Sequence, residues 1–141
     1  MKIKRRERGF SLIELLLVCA VVGIIATVAV PHLRSAIRAT DNSGTFDTLR
    51  TISSTQMSFY YVNSRFARLT EINNLLSGSV GTASGNDITR GKFVLTMSPS
   101  TPSDVELRNG YAITATRDSV GEGQVYVYEL TQSGEIRQIL P

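Results

Sequence analysis

The chain has 141 residues, with one cysteine and one histidine. This length is typical of a single domain. One cysteine excludes a disulfide within the chain, and together with one histidine it excludes a Cys/His metal cluster. The formal net charge is +3, but residues 1–9 carry +4 and residues 10–141 carry −1. A nucleic-acid-binding domain would need a basic surface on its folded part, so the sequence indicates no clear nucleic-acid site.

A basic head is followed by a long apolar run at the N-terminus. From Phe10 to Val30, 21 residues contain one charged side chain, Glu14. As a helix this run would be about 32 Å long, close to the thickness of a bilayer's hydrocarbon core. The basic head fits a cytoplasmic position under the positive-inside rule. A charge inside a membrane segment costs of order 3 kcal/mol, so its presence usually marks a function.

Three interpretations of this segment compete. A secretory signal peptide would be cut near Ala26–Ala29, but the run is long for such a signal and Glu14 lies where a signal has no charge. A plain single-span anchor leaves Glu14 unexplained. The third interpretation is a leader that ends at Gly9, followed by a segment that serves first as a membrane anchor and then as the core of a polymer.

The third interpretation matches a known family. Residues 9–14, Gly-Phe-Ser-Leu-Ile-Glu, resemble the cleavage and methylation motif of type IV pilins and of the related type II secretion pseudopilins. The resemblance covers about residues 1–40. Gly23 and Pro31 also fall where helix-loosening residues of pilins fall. Beyond residue 40 the resemblance is one of architecture.

The resemblance implies a role for three residues. A membrane prepilin peptidase would cut the chain between Gly9 and Phe10 and would then methylate the new amino group of Phe10. Glu14 would pair with the α-amine of Phe10 in a neighbouring subunit. Such a buried ion pair is better evidence for specificity than for net stability, so we expect Glu14 to set the register of assembly.

Gly23 and Pro31 predict a kink or local unwinding of the helix. Proline removes a backbone donor and clashes with the preceding turn, and glycine costs about 1 kcal/mol of helix preference relative to alanine. The resemblance implies that the stretch between them melts on polymerisation. A simple kink and a tolerated glycine are the alternative, and the sequence leaves both open.

The helical pattern continues to about Val62. Residues at three- and four-residue spacing form one face: Phe46, Leu49, Ile52, Gln56 and Phe59 or Tyr60. The opposite face is polar: Asp47, Arg50, Ser54 and Ser58. This is an amphipathic helix that needs one apolar surface to cover it. Residues 64–76 predict a short helix or turn, and residues 77–91, rich in glycine and serine, predict a loop.

Four strands are predicted after this loop. They are Lys92–Met97, Tyr111–Arg117, Gln124–Leu130 and Ile136–Leu140, separated by turn residues in Ser98–Asn109, Asp118–Gly123 and Gln132–Gly134. Closely spaced strands with short turns predict an antiparallel meander, one face of which packs on the second half of the helix. The predicted fold is α+β, with a long, kinked N-terminal helix and a small antiparallel sheet. The predicted divisions are a leader at 1–9, a membrane or filament-core half-helix at 10–31, and a globular domain at 32–141.

The sequence offers no catalytic constellation and no cofactor motif, so we expect a protein that is not an enzyme. A calcium site is considered because major pseudopilins carry a calcium loop. Asp118 and Glu122 flank one turn, and Asp104 and Glu106 lie in the preceding loop. A hard cation needs several oxygens that converge from one ordered loop, so we expect solvated carboxylates and no metal site.

The predicted function is that of a structural subunit of a type IV pilus. The precursor would be held in the inner membrane with its head in the cytoplasm, and the processed chain would join a surface filament for adhesion, motility or uptake. Its partners would be copies of itself, other pilins, the prepilin peptidase and an inner-membrane assembly platform. The first alternative is a type II secretion pseudopilin in a periplasmic pseudopilus. The second is a membrane-anchored or secreted binding module.

Overall fold

The structure is a computed structural model that describes residues 9–117 and 125–140. Contacts within the chain define two compact units, Met1–Ala39 and Thr40–Pro141. The predicted divisions at residues 9 and 31 remain a prediction.

The first unit is built on the start of a long helix, α1, which spans Leu12–Asn63. The predicted end near Val62 is confirmed to within one residue. The helix is continuous through Gly23 and Pro31. Every described residue of this unit except Arg38 is exposed, so its apolar side chains have no cover within the unit. The kink or unwinding at the glycine and the proline stays a prediction.

The second unit begins with the remainder of α1, which buries one face. The buried residues are spaced one, three or four positions apart and share one side of the helix: Thr45, Thr48, Leu49, Ile52 and Gln56. The predicted face is therefore confirmed at its centre. The two threonines were not predicted, and their hydroxyls are satisfied by donating to helix carbonyls of Asp41 and Gly44, at 3.0 and 2.7 Å.

Gln56 links α1 to the segment that follows it through two hydrogen bonds. Its amide Nε2 donates to the carbonyl of Ala67 at 2.8 Å, and the backbone N–H of Ala67 donates to its Oε1 at 2.7 Å. Both residues are fully buried. A buried polar side chain is tolerated when its hydrogen bonds are made, which explains a glutamine at an otherwise apolar position.

Two short helices follow. Helix α2, Leu69–Leu75, confirms the short helix predicted within residues 64–76. Helix α3, Asp104–Asn109, corrects the prediction of turn residues there. It forms because the hydroxyl of Ser103 accepts from the N–H of Glu106 at 3.3 Å, while the carboxylate of Glu106 accepts from the N–H of Ser103 at 2.8 Å. This reciprocal capping box follows from the Ser-x-x-Glu spacing.

The described residues of the second unit also form one six-stranded sheet. The strands are β1 Thr82–Ser84, β2 Asp87–Arg90, β3 Phe93–Ser98, β4 Ala112–Arg117, β5 Tyr126–Thr131 and β6 Ile136–Leu140. Their order in the sheet equals their order in the chain, and every neighbouring pair is antiparallel. The predicted meander is confirmed. The predicted turn at Asp118–Gly123 lies outside the described residues.

The prediction of a loop over residues 77–91 is wrong for most of its second half, because β1 and β2 form a hairpin there. Ser84 pairs with Asp87, so Gly85 and Asn86 make a two-residue turn, with Gly85 at φ +63°. Such turns need positive φ and favour glycine and asparagine. The strands were not predicted because their side chains are mostly polar, and only Ile88 among them is buried.

The core of the second unit lies between the sheet and α1. Alternate residues of β3, β4 and β5 point inward, as the period of two requires. They join Leu49 and Ile52 of α1 in one cluster, with Phe93, Leu95, Met97, Ile113, Ala115, Tyr128 and Leu130 from the strands. Burial of apolar side chains stabilises by about 1.5 to 3 kcal/mol each. The predicted α+β fold, a long helix on an antiparallel sheet, is confirmed.

Candidate functional site

The predicted cleavage residues lie just outside the helix. Gly9 and Phe10 are exposed and precede the first helical residue. The carbonyl of Ser11 accepts the first helical hydrogen bonds, from the N–H groups of Glu14 at 3.1 Å and Leu15 at 3.2 Å. Among the described residues, no atom beyond Gly9 and its chain neighbours lies within 4 Å of the position that a Cβ on Gly9 would occupy. The Gly9–Phe10 bond is therefore exposed, non-helical backbone, the kind of segment in which proteolytic cuts concentrate.

Glu14 lies in the first turn of α1 and is exposed. A carboxylate there is stabilised by the partial positive charge of the helix N-terminus, by about 0.3 to 1 kcal/mol. Ser11 and Glu14 also have the Ser-x-x-Glu spacing of a capping box. Within residues 9–117 and 125–140 no ion pair involves Glu14. Its charge is thus available to a group from outside the described chain.

An exposed apolar surface begins at Phe10, just before α1, and runs along the helix to Ile37. Its large side chains are between 46% and 77% exposed. They are Phe10, Leu12, Ile13, Leu15, Leu16, Leu17, Val18, Val21, Val22, Ile24, Ile25, Val28, Val30, Leu33 and Ile37. The helix is long and apolar enough to cross a membrane, a property that signal sequences share. An exposed apolar surface of this extent marks contact with lipid or protein.

The second unit uses its charges mainly to join its own elements. Arg65 donates to both carboxylate oxygens of Glu71, at 2.8 and 2.9 Å. Arg68 donates to Asp104 at 2.7 Å, which ties the start of α2 to the start of α3. The hydrogen bonds from Arg65, and then that from the Arg68 N–H, lower the pKa of Glu71 to about 2. Sequence reasoning did not find the Arg68–Asp104 pair because its members lie far apart in the chain.

These contacts also account for two of the candidate calcium ligands. Asp104 is paired with Arg68, and Glu106 caps α3 through Ser103, whose hydrogen bonds lower its pKa. Asp118 and Glu122 lie outside the described residues. In the described part of the chain, no cluster of three or more His, Cys, Asp or Glu residues is suited to hold a metal ion.

Arg117 is a buried charge that the sequence pattern did not predict. It ends β4 on the inward-facing side, with no exposed area. Its guanidinium lies 3.5 Å from a carboxylate oxygen of Asp41 and 6.0 Å from the ring centroids of Phe93 and Tyr126. A buried charge needs partners, and these contacts place Arg117 in a structural role between β4 and α1.

Comparison with known proteins gives two findings. The family model of the prokaryotic N-terminal methylation motif matches residues 4–30. The type IV major pilin protein PilA of Myxococcus xanthus (strain DK1622) is 34% identical to the chain over 62 residues. The predicted resemblance to type IV pilins is confirmed.

The matches have defined extents. The methylation motif includes Gly9, Phe10, Glu14 and Gly23, and it ends one residue before Pro31. The alignment with the Myxococcus pilin covers 44% of this chain and 28% of that pilin, so it spans less than a third of the relative's length. No solved structure gives a significant match.

Proposed function

We propose that the chain is a subunit of a type IV pilus, cut between Gly9 and Phe10 and polymerised through the first half of α1. The observation that carries the proposal is the exposed apolar surface of Phe10–Ile37, together with Glu14 in the first turn of α1. A helix that is apolar all round needs either lipid or other helices as cover. The membrane would supply lipid as cover before assembly, and a bundle of subunits would supply other helices as cover afterwards.

Processing would change the charge at the N-terminus. Removal of residues 1–9 takes away a net charge of +4 that holds the end of the chain in the cytoplasm. It also creates an α-amine on Phe10, which the same peptidase would methylate. In a filament this cation pairs with Glu14 of a neighbouring subunit. Within an apolar bundle the pair is weakly screened, so subunits that leave Glu14 unpaired are disfavoured and the register is set.

The proposal assigns partners and locations. Before assembly the chain lies in the inner membrane as a single span, where the prepilin peptidase and an assembly platform act on it. After assembly its neighbours are copies of itself and other pilins in a surface filament that serves adhesion, motility or uptake. The filament core is the packed Phe10–Val30 segments, and residues 40–141 form its outside.

A pseudopilin of a type II secretion system is the second candidate. It shares the motif at residues 4–30, and a chain of that kind would enter a periplasmic pseudopilus. The similarity to a type IV major pilin over 62 residues supports the pilus proposal. A membrane-anchored or secreted binding module is the third candidate, and it predicts an intact Met1 or a cut near residue 29.

Peptide mass spectrometry on filaments sheared from the cell surface tests the proposal. We expect the dominant protein to begin at Phe10 with one added methyl group. Methylated Phe10 found only in the membrane fraction would favour the pseudopilin. An N-terminus at Met1 or near Ala29 would exclude a filament subunit.

Two substitutions separate processing from assembly. Gly9→Val places a branched side chain beside the scissile bond and should leave the precursor uncut. Glu14→Val should be cut normally but should yield few filaments, because the α-amine of Phe10 is then buried without a partner. Immunoblots of precursor and mature chain, with filament yield from shearing, measure both. Normal filament yield and length from Glu14→Val would show that Glu14 does not set the register.

A further inference from the structure

Two arginines lie at the C-terminal end of the apolar surface on α1. Arg34 and Arg38 are four residues apart, so they are neighbours on one side of the helix. Leu33 and Ile37, with the same spacing, lie beside them and are 62% and 47% exposed. Each arginine therefore adjoins an apolar side chain along which its own alkyl stem can lie.

The charge of this arginine pair is not neutralised nearby. Residues 15–40 contain no aspartate or glutamate. Asp41, the next carboxylate, is paired with Arg117 at 3.5 Å within the second unit. In the described residues no ion pair involves Arg34 or Arg38. The pair is therefore a local concentration of positive charge at the end of the apolar run.

The spacing along the helix places this pair at a membrane surface. If Phe10–Val30 spans the hydrocarbon core, Arg34 lies about 6 Å and Arg38 about 12 Å beyond Val30 along the axis. The polar layer on each side of a bilayer is about 5 to 7 Å thick. Side chains of a helix lean towards its N-terminus, which here means back towards the bilayer. Both guanidinium groups can thus reach the headgroup layer.

We propose that Arg34 and Arg38 bind the phosphates of anionic phospholipids on the side of the membrane where residues 40–141 lie. A guanidinium makes two parallel hydrogen bonds to phosphate oxygens, and anionic headgroups attract basic residues close to a membrane surface. The pair fixes the depth of the anchor. Once residues 1–9 have been removed, it is the only cluster of arginines or lysines left beside the apolar run. This inference rests on the proposed membrane-anchored stage.

Tryptophan fluorescence tests the binding directly, because the chain contains no tryptophan. Leu33→Trp introduces one beside the arginine pair, at an exposed position. The full chain is reconstituted into vesicles of phosphatidylcholine and phosphatidylglycerol, and one lipid at a time is brominated high on its acyl chains. Bromine quenches only a neighbouring tryptophan, so the basic head on the other side of the membrane does not contribute.

We expect phosphatidylglycerol to occupy the positions around the introduced tryptophan at least about fivefold more readily than phosphatidylcholine, since a single bound arginine already supports that preference. The added substitutions Arg34→Gln and Arg38→Gln should bring the ratio close to one, as should high salt. The matched control, Arg50→Gln with Arg108→Gln, removes two exposed arginines from the second unit and should leave the ratio unchanged.

The outcomes separate the two proposals. Quenching by neither lipid would show that the segment is not inserted, which overturns the membrane-anchored stage itself. Equal quenching by both lipids, unaffected by the arginine substitutions, would show an inserted anchor without headgroup binding and would overturn the inference alone. A preference that the control substitutions remove as well would assign it to the total charge of the chain and would also overturn the inference.

Discussion

The two halves of α1 are one helix with opposite surroundings. In the first half Ile24 is 69% exposed, and in the second Ile52 has no exposed area. The first half is apolar on every side, whereas the second is apolar on one side and carries Asp47, Arg50 and Ser54 on the other. The distribution of apolar residues around the helix axis, rather than helix preference itself, therefore decides whether a segment packs against its own chain or needs a cover from outside.

The same comparison holds for two acidic residues, one in each unit. Glu71 has its partners in its own unit, Arg65 and Arg68. Glu14 has no ion-pair partner in the described residues.

Pairs of matched substitutions, one in each unit, test this division between the units, and the five tyrosines provide the spectroscopic signal. All five lie after residue 59, and Tyr111 and Tyr128 are buried, so their near-ultraviolet circular dichroism follows the second unit.

The largest effect is expected from Ile52→Ala. Removing a fully buried isoleucine leaves a cavity and should lower the free energy of unfolding of the second unit by about 2 to 5 kcal/mol. Ile24→Ala makes the same change at an exposed position and should leave that free energy unchanged. Urea titration in detergent, followed by tyrosine circular dichroism, measures both. Equal losses from the two substitutions would show that the first half of α1 is covered by its own chain.

Glu71→Gln is expected to have an intermediate effect on the free energy of unfolding of the second unit. The pKa of Glu71 is lowered to about 2 from 4.5, so its charge stabilises the fold above pH 4.5 and this contribution is lost as the pH falls towards 2. The side chain of Glu71 is 32% exposed. Solvent screening therefore limits the expected loss in the free energy of unfolding of Glu71→Gln at pH 7 to about 1 to 2 kcal/mol.

Thermal unfolding at pH 7 and pH 2 measures this effect. The difference between the unsubstituted chain and Glu71→Gln should shrink at the lower pH, where Glu71 is increasingly protonated. The control, Glu14→Gln, should change neither midpoint. A midpoint that falls with Glu14→Gln would show that Glu14 stabilises the second unit, through a partner there or through the shared helix α1, and would break the comparison.

The smallest effect is expected from Gly44→Ala. A Cβ there meets no atom within 4 Å, and alanine is preferred to glycine inside a helix by about 0.5 to 1 kcal/mol, so the second unit should become more stable by that amount. Gly23→Ala, equally free of close atoms, should not change its unfolding. Urea titration decides the matter, and stabilisation by Gly23→Ala would mean that the two halves unfold together.

Much of the fold was predictable because its strongest signals are local. The apolar run, the amphipathic spacing around Leu49 and Ile52, and the alternation within the last strands each depend on neighbouring residues. The methylation motif was predictable for the same reason, since Gly9, Phe10 and Glu14 lie within one short segment. Residues 4–30 match the family model of that motif.

The remaining features depend on contacts between distant residues or on weak local signals. The β1–β2 hairpin is mostly polar and is stabilised by pairing with β3. The burial of Arg117 depends on Asp41, which precedes it by more than half of the chain. Helix α3 differs from these features, because the spacing from Ser103 to Glu106 is a local signal for a helix start. The interpretation of this segment as a turn did not use that signal.

The sequential order of the sheet has a consequence for how the second unit folds. Because each of the strands β2 to β6 pairs with the one that precedes it in the chain, the contacts that build the sheet are short-range, and such topologies fold quickly. As the chain is made from its N-terminus, each new strand finds its partner already present. Its edge is exposed only until the next strand arrives, which shortens the interval in which two incomplete chains can aggregate through open edges.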